Sequence, residues 1–427
     1  MLPRDRRRNR HVTPRKLNMM NQITLNDLLA QETKRDPIAF SARLREQGAV
    51  LPFYGLGKER GWLVTQYDDV LTILKDPRFI KDPQKLTPSL QGEQAEADER
   101  AAVMSNLLKY RRDMLVTDPP DHTRLRGLVS KAFTPRMIEH LRPRIQQLAD
   151  ELLDAVQKQG QMDLIADFAF PLPITVISEM LGISGADRQQ FRTWSQTLVT
   201  GVVGSEPTKV VAAMEAFVQY IKTLLAEKRA HPGTDLTSGL VQAEERGDRL
   251  SEAELISTIF LLIVAGHETT VNLLGNGMLA LFEHPEQMRR LCTDPSLIPS
   301  AIEELLRYTA PVSMSSPRWA SEDIPLHDQV IRKGEMVFVS LIGADTDPRQ
   351  FSDPEVLDIA RQENQHVAFG KGIHFCLGAP LARLEGQIAI GTLLRRLPRL
   401  RLACEPEQLT WTQSPILRGL TSLPVTF

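Results

Sequence analysis

The segment Phe369-Gly370-Lys371-Gly372-Ile373-His374-Phe375-Cys376-Leu377-Gly378 constrains this chain more than any other feature. Gly370, Gly372 and Gly378 bracket a lone cysteine just ahead of a helical stretch, 377–396. Glycines allow tight turns and let a flat ligand approach the backbone closely. A cysteine at a helix N-terminus lies under backbone N–H groups, which favours the thiolate. A thiolate fixed in a rigid loop can serve as an axial iron ligand. The other cysteines, Cys292 and Cys404, are far away, and there is no CxxC pair. A disulfide framework and a four-thiolate zinc or iron–sulfur site are therefore excluded. Cysteines this sparse suit a reducing cytoplasm.

A second segment, Ala265-Gly266-His267-Glu268-Thr269-Thr270, places an acid beside an alcohol inside an apolar helix. Burying Glu268 costs several kcal/mol unless a partner or water accepts it. Thr269 can bond back to the carbonyl four residues earlier and open the helix locally. That combination suits a dioxygen pocket with a proton relay. The HExxH zinc pattern fails because residue 271 is Val271.

The 427 residues are 42% hydrophobic and 24% charged, an ordinary globular composition. The formal net charge of −2 gives no sign of nucleic-acid binding. Charge is uneven, however. Met1–Asn18 carries seven bases and one acid, so that segment is +6 and Met19–Phe427 is −8. With no apolar stretch after it, the tail is not a secretory signal. It reads as a basic disordered extension, or as sequence ahead of a start at Met19 or Met20. Residues 19–427 then form a single domain.

The most apolar run, Leu255–Gly266, is 12 residues, shorter than the roughly 20 a membrane span needs. It reads as a buried core helix, with no membrane span. Ser251-Glu252-Ala253-Glu254 is a capping box opening that helix, which runs to about Phe282 before Pro285. Helical spacing also marks 68–75, 122–132, 146–157, 187–198, 210–228 and 298–308. Trp62–Tyr67, pieces between 312 and 368, and 409–427 read as strands, and 82–100 as a polar loop. The fold class is mainly α with a minor β part, with neither a GxGxxG nor a GxxxxGK[ST] fingerprint.

The FGxGxHxCxG pattern closely resembles the haem-ligand loop of the cytochromes P-450, whose cysteine thiolate ligates haem iron on the proximal side and favours O–O cleavage. The resemblance extends from about Asn21 to Phe427. Ala265, Gly266, Glu268 and Thr269 are similar to the family's acid–alcohol pair over the distal face. Glu304-Leu305-Leu306-Arg307 is similar to its ExxR motif, with Arg361 as the later arginine of a structural triad. The resemblance implies that His122, Arg126, Arg318 and His374 meet the haem carboxylates, while Phe369, Gly370 and Gly378 shape the loop. Asp345-Thr346-Asp347-Pro348 departs from the family's Asn-Arg-Asp-Pro type of sequence.

The implied fold is the cytochrome P-450 fold, with a long central helix and haem b held between it and the cysteine loop. The implied reaction inserts one oxygen atom of O2 into a C–H bond of a hydrophobic small molecule: a polyketide or macrolide, terpene, steroid or fatty acid. Glu268 and Thr269 are the catalytic pair and Cys376 the metal ligand. Val264, Ala265, Val312, Met314, Ile416 and Leu417 line the substrate pocket, gated by lids at 83–108 and 200–209. Electrons come from a separate ferredoxin and its reductase, docking on a proximal face supplied with charge by Lys109, Arg111, Arg112 and Arg124. The chain is a cytoplasmic monomer. A peroxide-driven peroxygenase and a non-catalytic haem-thiolate ligand-binding protein are the rival readings.

Overall fold

The computed structural model describes residues 22–55, 60–86, 112–187, 190, 191, 193, 194, 197, 207–245 and 247–427. The basic extension, most of both lid segments, Lys109 and Arg111 lie outside the described residues.

Helix Glu252–Glu283 is the axis of the molecule. Ser251 caps its first turn, and Glu254 returns a bond to the Ser251 N–H, so both halves of the capping box form. Thr270 to Leu281 are buried without interruption. A helix apolar on every side belongs in the centre of a large protein. Length and composition alone would also let it cross a membrane, but its neighbours here are other helices. Pro171–Met180, Ile298–Thr309 and Ala379–Arg396 pack directly against it. At Gly275 an added Cβ would come within 2.5 Å of Ile165 Cδ1, so the Ile165 side chain would have to move to admit one.

A six-stranded mixed sheet forms the minor β part, in the order 23–24, 50–54, 60–64, 336–339, 318–320, 79–80. Its register places Trp62 opposite Val337, and Val337 opposite Arg318. The first of these pairings joins segments more than 250 residues apart. The helical core and the sheet form separate apolar clusters, the second built on Trp62, Val64, Val337 and Val339.

Several elements differ from the expectation. Pro171–Met180 and Pro37–Gln47 are helices that apolar periodicity did not mark. Within the strand-like 312–368 region, Leu341–Asp345 is helical. In 409–427 only Pro424–Thr426 is a strand; Trp411–Leu420 and Val312–Leu417 are single bridges. That last segment is anchored to the N-terminal helices by two buried cations. Lys34 Nζ donates to the Ser414 and Leu417 carbonyls, and Arg418 Nε donates to the Lys34 carbonyl at 2.6 Å.

Candidate functional site

The cysteine loop turns twice through left-handed backbone, at Gly370 (φ 69°) and Gly372 (φ 74°). At Gly372 a Cβ would sit 2.7 Å from the Leu74 carbonyl oxygen, so the loop rests on the end of helix Tyr67–Lys75. Gly378, with φ −79°, needs no such freedom. The Cys376 N–H donates to the Phe369 carbonyl at 2.9 Å, closing the loop just ahead of helix Ala379–Arg396.

The Cys376 sulfur lies deep in the molecule yet opens onto a cavity, so its accessible surface is cavity wall. Burial pushes the thiol above its ordinary range. The N–H groups of Gly378 and Ala379 and the charges of Arg126 and Arg383 pull the other way. Burial outweighs the helix-end effect on which the thiolate expectation rested.

That cavity separates the cysteine loop from helix Glu252–Glu283. Its empty volume is about 1520 Å3, open mouth included. Ala265, Gly266, Thr269 and Thr270 form one wall; Phe369, Gly370, His374, Cys376 and Gly378 form the opposite one. A Cβ at Gly266 would point at Ile177, 3.5 Å away, so the bare backbone there faces the cavity. Thr269 Oγ1 donates to the Ala265 carbonyl at 2.9 Å. Glu268 Oε2 is buried with no partner, and burial raises its carboxyl to about 7.

One edge of the cavity is rimmed with basic side chains: the cations Lys81, Arg126 and Arg318, and the imidazole of His374. His122, 2% exposed, stacks obliquely on His374 with ring centroids 4.4 Å apart. Arg318 donates to the Phe79 and Leu74 carbonyls, while its Nε is buried and unpartnered. The His122 ring nitrogens have no well-formed hydrogen bond, only a poorly aligned approach to the Ile373 backbone. Burial lowers His374 to about 2, helped by the charges of Arg318, His122, Lys81 and Arg126. Asp118 is the carboxylate that acts on His122 and Arg318. A crowd of buried donors with orphaned N–H groups and one carboxylate fits a ligand bearing two carboxylates of its own. The residues present therefore fit haem, with Cys376 on one face and the cation rim at its acidic edge. Lys81 is the member of this rim that sequence reasoning missed; it hydrogen-bonds Ser316 and Pro317 and carries no motif.

The buried triad forms. Glu304 and Arg307, both fully buried, pair through two 2.8 Å bonds, and Arg361 Nε reaches Glu304 at 3.2 Å. Asn364 and the Asp358 N–H also donate to Glu304, neither of which the motif signals. His267 points away, bonding the Ile263 carbonyl and packing on Phe170. Among the described residues no group of His, Cys, Asp and Glu could hold a metal ion by itself. A second buried acid, Glu385 on helix Ala379–Arg396, lies next to the site. Neither of its oxygens has a well-formed bond, and the Thr270 hydroxyl is the polar group that acts on it.

Of the six expected pocket residues, Ala265 and Val312 line the cavity. Met314 does not. It is 3% exposed and packs with Leu44, Leu51 and Phe53 in a different apolar cluster. The reason lies in the pairing: Val312 bridges to Leu417, whereas Met314 bridges to Ser340, so the chain changes partner between them. Val264, Ile416 and Leu417 are likewise absent from the lining, although the Ile416 carbonyl accepts the Ser313 N–H directly behind it. Arg124, expected on the docking face, is committed to Glu254 and Asp248 at the start of the central helix.

A long helix and a cysteine loop enclosing a cation-rimmed cavity define a haem-thiolate protein. The chain belongs to the cytochrome P450 family: the family profile, "Cytochrome P450", matches residues 79–296 and 295–411. Cytochrome P450 CYP107DY1 of Priestia megaterium is 54% identical over 416 residues, 96% of this chain and 100% of that protein. The polyketide biosynthesis cytochrome P450 PksS of Bacillus subtilis is 45% identical over 399 residues, 92% of this chain and 96% of that protein. Its solved structure superposes with a TM-score of 0.86, covering 93% of this chain and 98% of that one. A myxobacterial cytochrome P450, CYP267B1, solved in complex with myristic acid, is 45% identical with a TM-score of 0.86, covering 94% and 98%. The protein is thus a bacterial P450, an oxidoreductase of the monooxygenase type with a haem-thiolate cofactor and a small-molecule substrate.

Proposed function

We propose that this chain inserts one oxygen atom of O2 into a C–H bond of a hydrophobic substrate of the fatty-acyl or polyketide kind, using haem b. The carrying observation is the cavity itself: Cys376 on one wall, Thr269 on the other, and the cation rim at its edge. When bound, the haem supplies the oxygen-activating chemistry; the chain supplies everything that surrounds it. Cys376 offers the sulfur ligand, and Arg126, Arg318, His122 and His374 hold the carboxylates. Glu268, raised to about 7, can hold a proton near neutrality, and the next residue, Thr269, lines the cavity although Glu268 itself does not. Such an acid can deliver a proton into a pocket that excludes bulk water. Presence of both residues supports the O2-driven route over the peroxide-driven and non-catalytic ones.

On the open side, Met114, Leu115, Phe133, Ile177, Leu261 and Leu262 are apolar, which supports a hydrophobic substrate. The myristic acid bound by CYP267B1 and the polyketide pathway named for PksS are of that chemistry. Electrons arrive from a cytoplasmic ferredoxin with its reductase, and Met1–Asn18 is dispensable for haem content and turnover.

The first experiment is the absorption spectrum of the reduced protein under CO, beside Cys376→Ser. The reading predicts a strongly red-shifted Soret band that the variant lacks. A wild-type-like spectrum in Cys376→Ser would remove Cys376 as the ligand. Oxidised product with peroxide but none with ferredoxin, reductase and O2 would establish the peroxygenase instead.

A further inference from the structure

Beside Glu304, which locks the triad, stands a second acid on helix Ile298–Thr309 that faces elsewhere. Glu303 accepts both forks of Arg383, Nε at 2.7 Å and Nη2 at 2.8 Å. This is the bidentate geometry in which guanidinium and carboxylate pair best. Glu303 is supported from behind by His366. The Nδ1 of His366 accepts the Ala368 N–H at 3.2 Å, which leaves Nε2–H to donate to Glu303 Oε2 at 3.1 Å. Arg383 and His366 together hold the Glu303 carboxyl well down, to about 2, against the opposing effect of burial.

Arg383 has a second contact. Its guanidinium carbon lies 4.6 Å from the Phe369 ring centroid, over the face. Phe369 is the residue whose carbonyl accepts the Cys376 N–H. A cation on a ring face is favoured by the ring's quadrupole, so this stack fixes the charge in space rather than leaving it to sweep through solvent. Fixed there, the Arg383 charge lies against the ring of the residue whose backbone closes the Cys376 loop. Arg126 lines the cavity onto which Cys376 opens. The loop therefore has one arginine at the cavity edge and another against Phe369.

Resting on the assignment of Cys376 as the iron ligand, we propose that Arg383 sets the charge felt by its sulfur. Glu303, with His366 behind it, is the positioning residue that holds Arg383 over Phe369 and opposes its field. A pair that only tied two helices together would have the same hydrogen bonds, so stability alone cannot separate the two roles. The sign of an electrostatic shift can. Reduction adds negative charge at the iron, so a nearby positive charge favours it. Arg383→Met leaves Glu303 uncompensated and makes reduction harder. Glu303→Gln keeps the volume and a hydrogen bond but leaves Arg383 uncompensated, which makes reduction easier.

The test is the one-electron reduction potential of the purified haem-loaded protein and its variants, at constant ionic strength. The CO spectrum of the wild type comes first: without the thiolate signature the assignment of Cys376 falls, and this proposal with it. With that signature present, the expected result is opposite shifts, each changing the oxidised-to-reduced ratio at fixed potential by about threefold or more; a tenfold change is about 59 mV for one electron. Arg383→Lys should restore part of the shift, since it returns the charge without the fork. Arg383→Met should also convert faster from the thiolate to the thiol form of its CO complex. Shifts of the same sign in Arg383→Met and Glu303→Gln, or none beyond error, would overturn the proposal and leave the pair a structural tie.

Discussion

Replacing Glu304 by alanine puts the largest energetic statement above at risk. Its carboxylate, at 0% exposure, accepts from Arg307 Nε and Nη2 at 2.8 Å, the Asp358 N–H at 3.0 Å, Asn364 Nδ2 at 3.1 Å and Arg361 Nε at 3.2 Å. Removing it leaves Arg307 fully buried, bonded only to the carbonyls of Asp345, Pro354 and Val356. Breaking one side of a buried ion pair costs about 3–5 kcal/mol, because the remaining charge has no counterpart. Whole-protein stability is about 5–15 kcal/mol, so the loss is a large share of it. The measurement is chemical unfolding of variant and wild type at matched haem content. Asp323→Asn serves as control, since Asp323 pairs with Arg332 on the surface, with side chains 52% and 65% exposed. Such exposed pairs contribute about 0–1 kcal/mol. If the alanine variant does not accumulate, Glu304→Gln keeps the volume and should still lose about 2 kcal/mol, the worth of charge-assisted bonds. A Glu304 variant as stable as the Asp323→Asn control would refute the reasoning.

Three further outcomes are expected. Turnover of the wild type should fall as pH rises through about 7, where Glu268 gives up its proton, and Glu268→Gln should be slow and flat across the same range; steady-state rates from about pH 6 to pH 9 decide it. Burial raises the Glu385 carboxyl to about 8, so its contribution to stability is complete below the ordinary carboxylate value and is lost as pH climbs through 8. Glu385→Gln should therefore unfold at a higher temperature than wild type at pH 9 and nearly the same one at pH 4, and an unchanged gap between the two proteins would contradict this. Arg318→Met should release haem to an excess of apo-globin about tenfold faster or more, since one charge-assisted bond is worth about 1.5–3 kcal/mol. The cofactor-free variant should be no less stable, because the unpartnered Arg318 Nε is gone.

Much of the site was legible because its residues are close in sequence. Cys376 and its glycines, Glu268 beside Thr269, and His122 one helical turn from Arg126 carry their geometry in their spacing. Glu304 and Arg307 do so as well, and Arg361 was placed by the resemblance. What stayed hidden depends on contacts that no local pattern records. Lys81 enters the rim from a strand end, and Glu385 meets Thr270 across two helices. No local pattern marks Glu303, which Arg383 grips from 80 residues away. Helix Pro171–Met180 carries prolines at 171 and 173 and is buried on nearly every side, which erased the amphipathic period. Met314 leaves the cavity lining because the chain exchanges Leu417 for Ser340 as its bridge partner within two residues, which no local pattern records.

The anchoring of Lys34 and Arg418 to each other's backbone neighbourhoods has a consequence for biosynthesis. Arg418 follows Lys34 by 384 positions, and the segment it fixes also bridges to Val312 at the cavity wall. At about 5–20 residues per second on the ribosome, the N-terminal helices wait on the order of 20–80 s for that partner. Throughout that interval the Val312 side of the cavity lacks its bridge to Leu417. A nascent chain stalled before Leu417 should therefore retain haem poorly.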